Sequence, residues 1–428
     1  MRLPGRIAAA IEILDDIQAR HRPVSEALRD WGLSHRFAGA GDRAAIGNLV
    51  YDALRRKLSL GWRMGVESSW GLAVGAAVLE WGEEPAALNA AFAEDRHGPA
   101  AISEETILRL GEDTLAEAPD HVRADVPEWC VANLRDVFGD SWVEEAAALG
   151  GRPPLDIRVN TLKGGRAKAV SQLARLGVEP TPLSPVGLRI PPAEAGRRHP
   201  NVQVEEAFQR GRIEIQDEGS QLCALLVGAE PGEQVLDFCA GAGGKTLALA
   251  AAMGNRGQIF AYDSDRSRLA PIYDRLKRAD VRNVQVRSPA PDALEDIVER
   301  MDRVLVDAPC SGSGTWRRRP DAKWKLTADS LARRLEEQDT VLRDASRFVR
   351  PGGLLAYATC SLFAAEDGER VEAFLMAHPD FEPASMAEAW AKALPGVAAP
   401  AFPGGNLLLS PHRSGTDGFF LALLRRKV

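Results

Sequence analysis

Apolar residues recur at three- and four-residue spacing in the first quarter of the chain, then switch to short unbroken or alternating runs further on. Ile7, Ile11 and Leu14 form one stripe and Ile46, Val50, Ala53 and Leu54 a second, which is the period of helices that bury one face. Few strand-like alternations precede residue 125, so residues 1–125 are predicted to form an all-helical domain. Between 126 and 228 the texture changes. "PPLDIRVNTLK" (Pro153–Lys163) predicts a strand, "RAKAVSQLARLG" (Arg166–Gly177) a helix stopped by glycine, and "GRIEIQDEGSQL" (Gly211–Leu222) a strand entering a helix. These make a small α/β connecting domain. From 229 to 428, candidate strands at Gln234–Phe238, Gln258–Asp263, Asn283–Arg287, Arg303–Asp307 and Leu354–Cys360 alternate with helical stretches, before a last apolar strand at Phe419–Leu424. That alternation predicts a doubly wound, Rossmann-like parallel sheet, whose ligands sit beyond the carboxyl ends of the strands.

Composition narrows this picture without changing it. At 428 residues the chain exceeds what one core supports. Its 45% hydrophobic and 26% charged content is that of an ordinary soluble globular protein. Glu12, Asp15 and Asp16 interrupt any signal-peptide core, and no apolar run reaches the length of a membrane span. The expectation is a cytoplasmic, monomeric protein with no membrane partner. The five cysteines are Cys130, Cys223, Cys239, Cys310 and Cys360; they are odd in number and never spaced C-x-x-C. With seven scattered histidines, this argues against a disulfide framework or a metal site. Lys and Arg number 53 against 60 Asp and Glu, a formal charge of −7. That disfavours a uniformly nucleic-acid-binding surface but leaves room for a local basic patch. The cluster Arg55-Arg56-Lys57 reads as a solvated helix end.

Candidate chemistry begins at "VLDFCAGAGGKTLALA" (Val235–Ala250), a strand, glycine-rich turn and helix. Glycines there let backbone N–H groups approach a ligand at the helix start. The Gly244-Lys245-Thr246 ending suggests a triphosphate loop, but that motif needs glycine where this chain has Cys239. Asp263 ends the second strand 20 residues after Gly243, where an acid can accept from a ribose hydroxyl pair. Cys239, Ala240, Gly241, Ala242, Gly243, Gly244, Lys245 and Asp263 therefore form a candidate site for an adenosine-type ligand, with NAD and S-adenosylmethionine both open.

The fourth strand ends in Asp307, Pro309 and Cys310, and the fifth ends at Cys360. If these strands pair, about 4.8 Å apart, the acid and both thiols converge on one pocket beside the nucleotide loop. That set suits methylation at carbon 5 of a pyrimidine. Carbon 5 is too poor a nucleophile unless a thiolate first adds at carbon 6 and makes it enamine-like. Asp307, which also lies beside the cofactor loop, could hydrogen-bond the N3 and amino edge as charge builds on the ring. A second thiol could serve the elimination that frees the product.

"DAPCSGSGT" and "YATCS", with "CAGAGGKT" upstream, resemble the Sun/Fmu-type RNA cytosine-5 methyltransferases, the RsmB-like family; "RRRPDAKW", "TDGFF" and "LDIRVNTLK" match it too. The resemblance covers about residues 126–428, and residues 1–125 more loosely resemble that family's NusB-like RNA-binding domain. It implies S-adenosylmethionine as cofactor, Cys360 as nucleophile and Cys310 as the thiol that assists release. Two departures stand out. Gly241-Ala242 replaces the usual Ala-Pro, which loosens the turn without removing an N–H. Ser288-Pro289 replaces Gly-Asp near the adenine, and the adenine-side role is not carried over to Asp292.

Between Arg317 and Lys325 stand five basic residues against one acid, interleaved with Trp324 and preceded by Trp316. Arg317, Arg318, Arg319, Lys323 and Trp324 are thus candidate RNA contacts, cations for phosphates and a ring for a flipped or unpaired base. The expected function is methylation of carbon 5 of a cytosine in RNA. Small-subunit ribosomal RNA as the target comes from the family resemblance; transfer RNA, or a non-catalytic RNA-binding assembly factor, are the alternatives. An NAD-dependent oxidoreductase would leave both strand-end cysteines without a task.

Overall fold

The helical stripes of the amino-terminal region close on one another in the computed structural model, which describes residues 1–290 and 292–428. Helices Leu3–Arg20, Val24–Ser34, Ala40–Arg55 and Ser69–Leu79 bury Ile7, Leu14, Ile46, Leu49, Val50 and Leu72 in one core. Each such side chain contributes roughly 1.5–3 kcal/mol on leaving water. Helix ends carry their own stop signals. The Ser68 side chain accepts from the Gly71 N–H at the start of Ser69–Leu79, and Gly65, at φ 71°, ends the helix Lys57–Met64.

This helical unit comprises Met1–Pro153 together with two excursions, Pro192–His199 and Trp316–Leu326; the remaining residues form a second compact unit. The helices between 126 and 148 fall in the first unit, whereas the connecting-domain strands fall in the second. Among the described residues, no helix is long and apolar enough to cross a membrane, and no cluster of three His, Cys, Asp or Glu side chains could hold a metal.

The second unit holds two sheets. The smaller one comprises β1 (Leu155–Val159), β2 (Glu179–Pro180), β3 (Gly187–Ile190) and β4 (Ile213–Ile215), in the order β2-β3-β1-β4 with antiparallel pairs throughout. The larger has eight strands: β5 (Gln234–Asp237), β6 (Gln258–Tyr262), β7 (Val284–Arg287), β8 (Met301–Asp307), β9 (Val349–Thr359), β10 (Phe381–Pro383), β11 (Leu407–Leu409) and β12 (Phe419–Arg426). Its order is β10-β12-β9-β8-β5-β6-β7, with β11 beside β12. β9, β8, β5, β6 and β7 run parallel, and β12 is antiparallel to β9. Strand order reverses at β5, which makes its carboxyl end the switch point where a ligand crevice opens. The sheet is therefore the doubly wound one expected. Short β2, β3, β10 and β11 were not foreseen, because two to four residues are too few to show a period.

Candidate active site

β8 and β9 are parallel neighbours, with Asp307 opposite Ala358, so both strands deliver their carboxyl ends to one place. The consequence is direct: Cys310 Sγ lies 3.3 Å from Cys360 Sγ. Both cysteines are half-buried and unbridged. The Cys310 thiol is held well above its usual range, first by its contact with the Cys360 sulfur and then by burial. The other cysteines are poor candidates for such chemistry, since burial pushes Cys130 and Cys223 up to about 12 and Cys239 higher still.

Asp307, about a third exposed, accepts from Lys245 Nζ at 2.7 Å. Burial pulls the Lys245 ammonium down, but Asp307 and the neighbouring Cys223 more than reverse this, and it ends at about 12. The Gly-Lys-Thr sequence therefore builds the site from within: Lys245 pairs with Asp307, while Thr246 Oγ1 donates to Asp237 Oδ2 at 2.6 Å. Burial raises that Asp237 carboxyl to about 7.

Glycines stand in the turn between β5 and its helix for a physical reason. Gly243 sits at φ 82°, and a Cβ there would lie 2.5 Å from Ile272 Cγ1; Gly241 sits at φ 50°. Asp263 reaches this turn from the end of β6: its Oδ2 accepts the Gly241 N–H at 2.9 Å and its Oδ1 the Asp265 N–H at 2.9 Å. Arg275 donates to Ala242 O at 2.7 Å and Arg158 to Gly244 O at 2.8 Å, so the smaller sheet, through Arg158, helps fix the loop. The other oxygen of Asp237, the last residue of β5, is buried without a protein partner. A turn with two left-handed glycines, an acid at the next strand end and an unfilled acceptor fit an adenosine-bearing ligand with donor groups. Cys239, Ala240, Gly241, Ala242, Gly243, Gly244 and Asp263 are the residues that would hold it.

The basic segment after the Cys310 loop corrects two expectations. Lys323 is 1% exposed and Arg317 5% exposed, in the helical unit. Lys323 Nζ donates to Arg55 O at 3.0 Å and Trp324 Nε1 to Leu54 O at 2.7 Å, satisfying the last carbonyls of the helix Ala40–Arg55. Burial brings the Lys323 ammonium down to about 8, against the pull of Asp125. Lys323 and Arg317 are thus packing elements, not the phosphate contacts expected from their composition, whereas Trp324 is half-buried. Arg319 is exposed and Arg318 half-buried. Nor is Arg55-Arg56-Lys57 a solvated helix end. Arg55 is 9% exposed, pairs with Asp52 at 2.8 Å and donates to Arg317 O at 2.7 Å.

Sequence reasoning also missed the residues that support the thiols. Glu366 is 0% exposed and binds the loops of both cysteines, while Thr359 Oγ1 donates to the buried Asp367 at 2.5 Å. In sequence, "AAEDGER" reads as the acidic start of a surface helix. No local signal distinguishes it.

The sheet, its switch-point loop and the acid at the end of β6 define a Rossmann-like enzyme with a crevice for an adenosine-bearing ligand, and the family matches make it an S-adenosylmethionine-dependent methyltransferase. A family model described as 16S rRNA methyltransferase RsmB/F matches residues 224–425, and one described as the RsmF/B-like ferredoxin-like domain matches 126–193. The probable ribosomal RNA small subunit methyltransferase B of Bacillus subtilis is 35% identical over 334 residues, 75% of this chain and 72% of that protein. Ribosomal RNA small subunit methyltransferase B of Klebsiella pneumoniae (strain 342) is 32% identical over 358 residues, 79% of this chain and 78% of that protein. Among solved structures, PH0851 superposes with a TM-score of 0.73 at 27% identity, covering all of both chains. A methyltransferase homolog from Pyrococcus horikoshii superposes with a TM-score of 0.59 at 27% identity, over 74% of this chain and 99% of that one. The chain belongs to the RsmB/F methyltransferase family.

Proposed function

We propose that this protein methylates carbon 5 of a cytosine in RNA, in the small-subunit ribosomal RNA that its relatives are named for, through a covalent bond from Cys360 to carbon 6. The observation that carries the reading is the pair of sulfurs 3.3 Å apart at neighbouring strand ends, beside the Asp307–Lys245 ion pair. The choice of Cys360 over Cys310 as nucleophile follows the family resemblance of the "YATCS" and "DAPCSGSGT" motifs. Its sulfur bonds to carbon 6, the carbon 5–carbon 6 π electrons move into the ring, and carbon 5 becomes enamine-like. Asp307, oriented by Lys245, offers an acceptor to the amino edge of the base and so orients it as ring charge develops. Bound S-adenosylmethionine supplies an electrophilic methyl group on sulfonium sulfur. Product release needs the carbon 5 proton to leave, its electrons to restore the double bond, and the sulfur–carbon 6 bond to break. Cys310 takes the carbon 5 proton as its own thiol proton passes to the departing Cys360 sulfur 3.3 Å away. Exposed Arg319 and half-buried Arg318 are the cations of the basic segment proposed to meet RNA.

The test separates the thiols. With purified protein, labelled S-adenosylmethionine and ribosomal RNA, wild type is expected to deposit label as 5-methylcytosine. Cys360→Ala should lose both turnover and any protein–RNA adduct, whereas Cys310→Ala should accumulate the adduct. Adduct formation by Cys360→Ala but not by Cys310→Ala reverses the assignment, and label in another base overturns the chemistry.

A further inference from the structure

Behind the two thiols one buried carboxylate joins their loops. Glu366 ends the short turn Ala364–Glu366 that follows β9 and is 0% exposed. Its Oε1 accepts the Ser311 backbone N–H at 2.7 Å and Gln338 Nε2 at 3.0 Å. Its Oε2 accepts the hydroxyls of Ser311 and Ser361. Ser311 directly follows Cys310, and Ser361 directly follows Cys360. A single carboxylate therefore grips the residue after each cysteine. Gln338, also 0% exposed, extends the tie by donating to Pro309 O at 2.9 Å, on the other side of Cys310. Ser361 Oγ lies 3.1 Å from Ser313 Oγ, which accepts the Leu362 N–H at 2.8 Å, and the Tyr357 hydroxyl donates to Glu366 O at 2.7 Å. Charge-assisted bonds of this kind are roughly twice as strong as neutral ones. A neutral side chain would reach the same atoms with less hold on them.

We propose that Glu366 is a positioning residue that sets the separation of Cys310 and Cys360 by clamping Ser311 and Ser361, and thereby the register of both thiols on one base. The clamp itself is a matter of geometry; its consequence for turnover rests on the function proposed above. Glu366 touches neither reacting sulfur, so its effect is expected in the sulfur spacing and in kcat, not in cofactor affinity. A displacement of about 1 Å at reacting groups lowers rate on the order of a hundredfold.

The sulfur spacing can be read without RNA. Diamide takes two electrons and two protons from a pair of adjacent thiols and leaves a disulfide, so the rate at which the Cys310–Cys360 disulfide forms, followed by peptide mass, reports their approach. Wild type is expected to cross-link rapidly. Glu366→Ala should slow this at least tenfold and reduce kcat by about ten- to a hundredfold, while the KM for S-adenosylmethionine stays within about twofold. Glu366→Gln keeps one acceptor oxygen and should fall between; Ser361→Ala, which loses one bond, should shift both readouts in the same direction by less. Should Glu366→Ala no longer bind S-adenosylmethionine, Glu366→Gln and Ser361→Ala decide. Cross-linking at the wild-type rate in Glu366→Gln and Ser361→Ala overturns the clamp, as does a wild type that does not cross-link. A protein that cross-links as expected but methylates no cytosine leaves the clamp standing and removes the proposed chemistry.

Discussion

Gly314→Ala is the perturbation whose size the structure sets most directly. Gly314 lies four residues past Cys310 and packs backbone against backbone on Gly418, in the turn before β12. A Cβ at 314 would stand 2.3 Å from Gly418 O and 2.6 Å from Gly418 C and Cα. Real Cβ contacts do not fall below 3.0 Å, so the two segments must part by about 0.7 Å, and both are rigid backbone. That movement takes the 2.8 Å bond from Gly418 N to Gly314 O to the limit of bonding geometry, and strains the 3.0 Å bond from Gly314 N to Cys360 O. Overpacking costs roughly 1–3 kcal/mol and each weakened bond about 1 kcal/mol. The sum is about 3–5 kcal/mol. Because Cys360 O is one of the atoms displaced, turnover should fall at least tenfold as well. Urea unfolding followed by loss of S-adenosylmethionine binding measures the first effect, and label transfer to RNA the second. A variant within about 0.5 kcal/mol and twofold of wild type would refute the reasoning that this close approach holds the cysteine loops together.

Two further perturbations probe buried charge. Burial raises the Asp237 carboxyl from 3.8 to about 7, so between those values the folded protein holds a proton that the unfolded chain has released, and this group's contribution falls as pH rises from about 4 to about 7. Asp237→Asn should therefore stabilise the apoprotein by up to roughly 4 kcal/mol above pH 7 and change little near pH 4; equal unfolding midpoints at both pH values would contradict this. Lys323→Met removes the cap on Arg55 O and leaves Asp125, at 0% exposure, without the attraction of that ammonium. It should destabilise the helical unit by about 3–5 kcal/mol, seen by calorimetry, without the change in the salt dependence of RNA binding that loss of a phosphate contact would produce.

The apolar spacing alone was enough to place helices before residue 126 and an alternating parallel sheet after 229, because burying one face imposes a period on any sequence that does it. It also placed Asp307 and Cys360 at strand ends and Cys310 in the loop just beyond, since they close or closely follow apolar runs. What the tertiary structure alone decided is which distant groups share a hydrogen bond. Lys323 and Arg55 are 268 residues apart, so a motif that looks like an RNA clamp by composition becomes a helix cap only once the two segments pack. Glu366 looks like an ordinary surface acid until donors from positions 311, 338 and 361 surround it. Local sequence encodes period and turn, which are short-range properties of the chain. The environment of a charge depends on neighbours that only folding supplies.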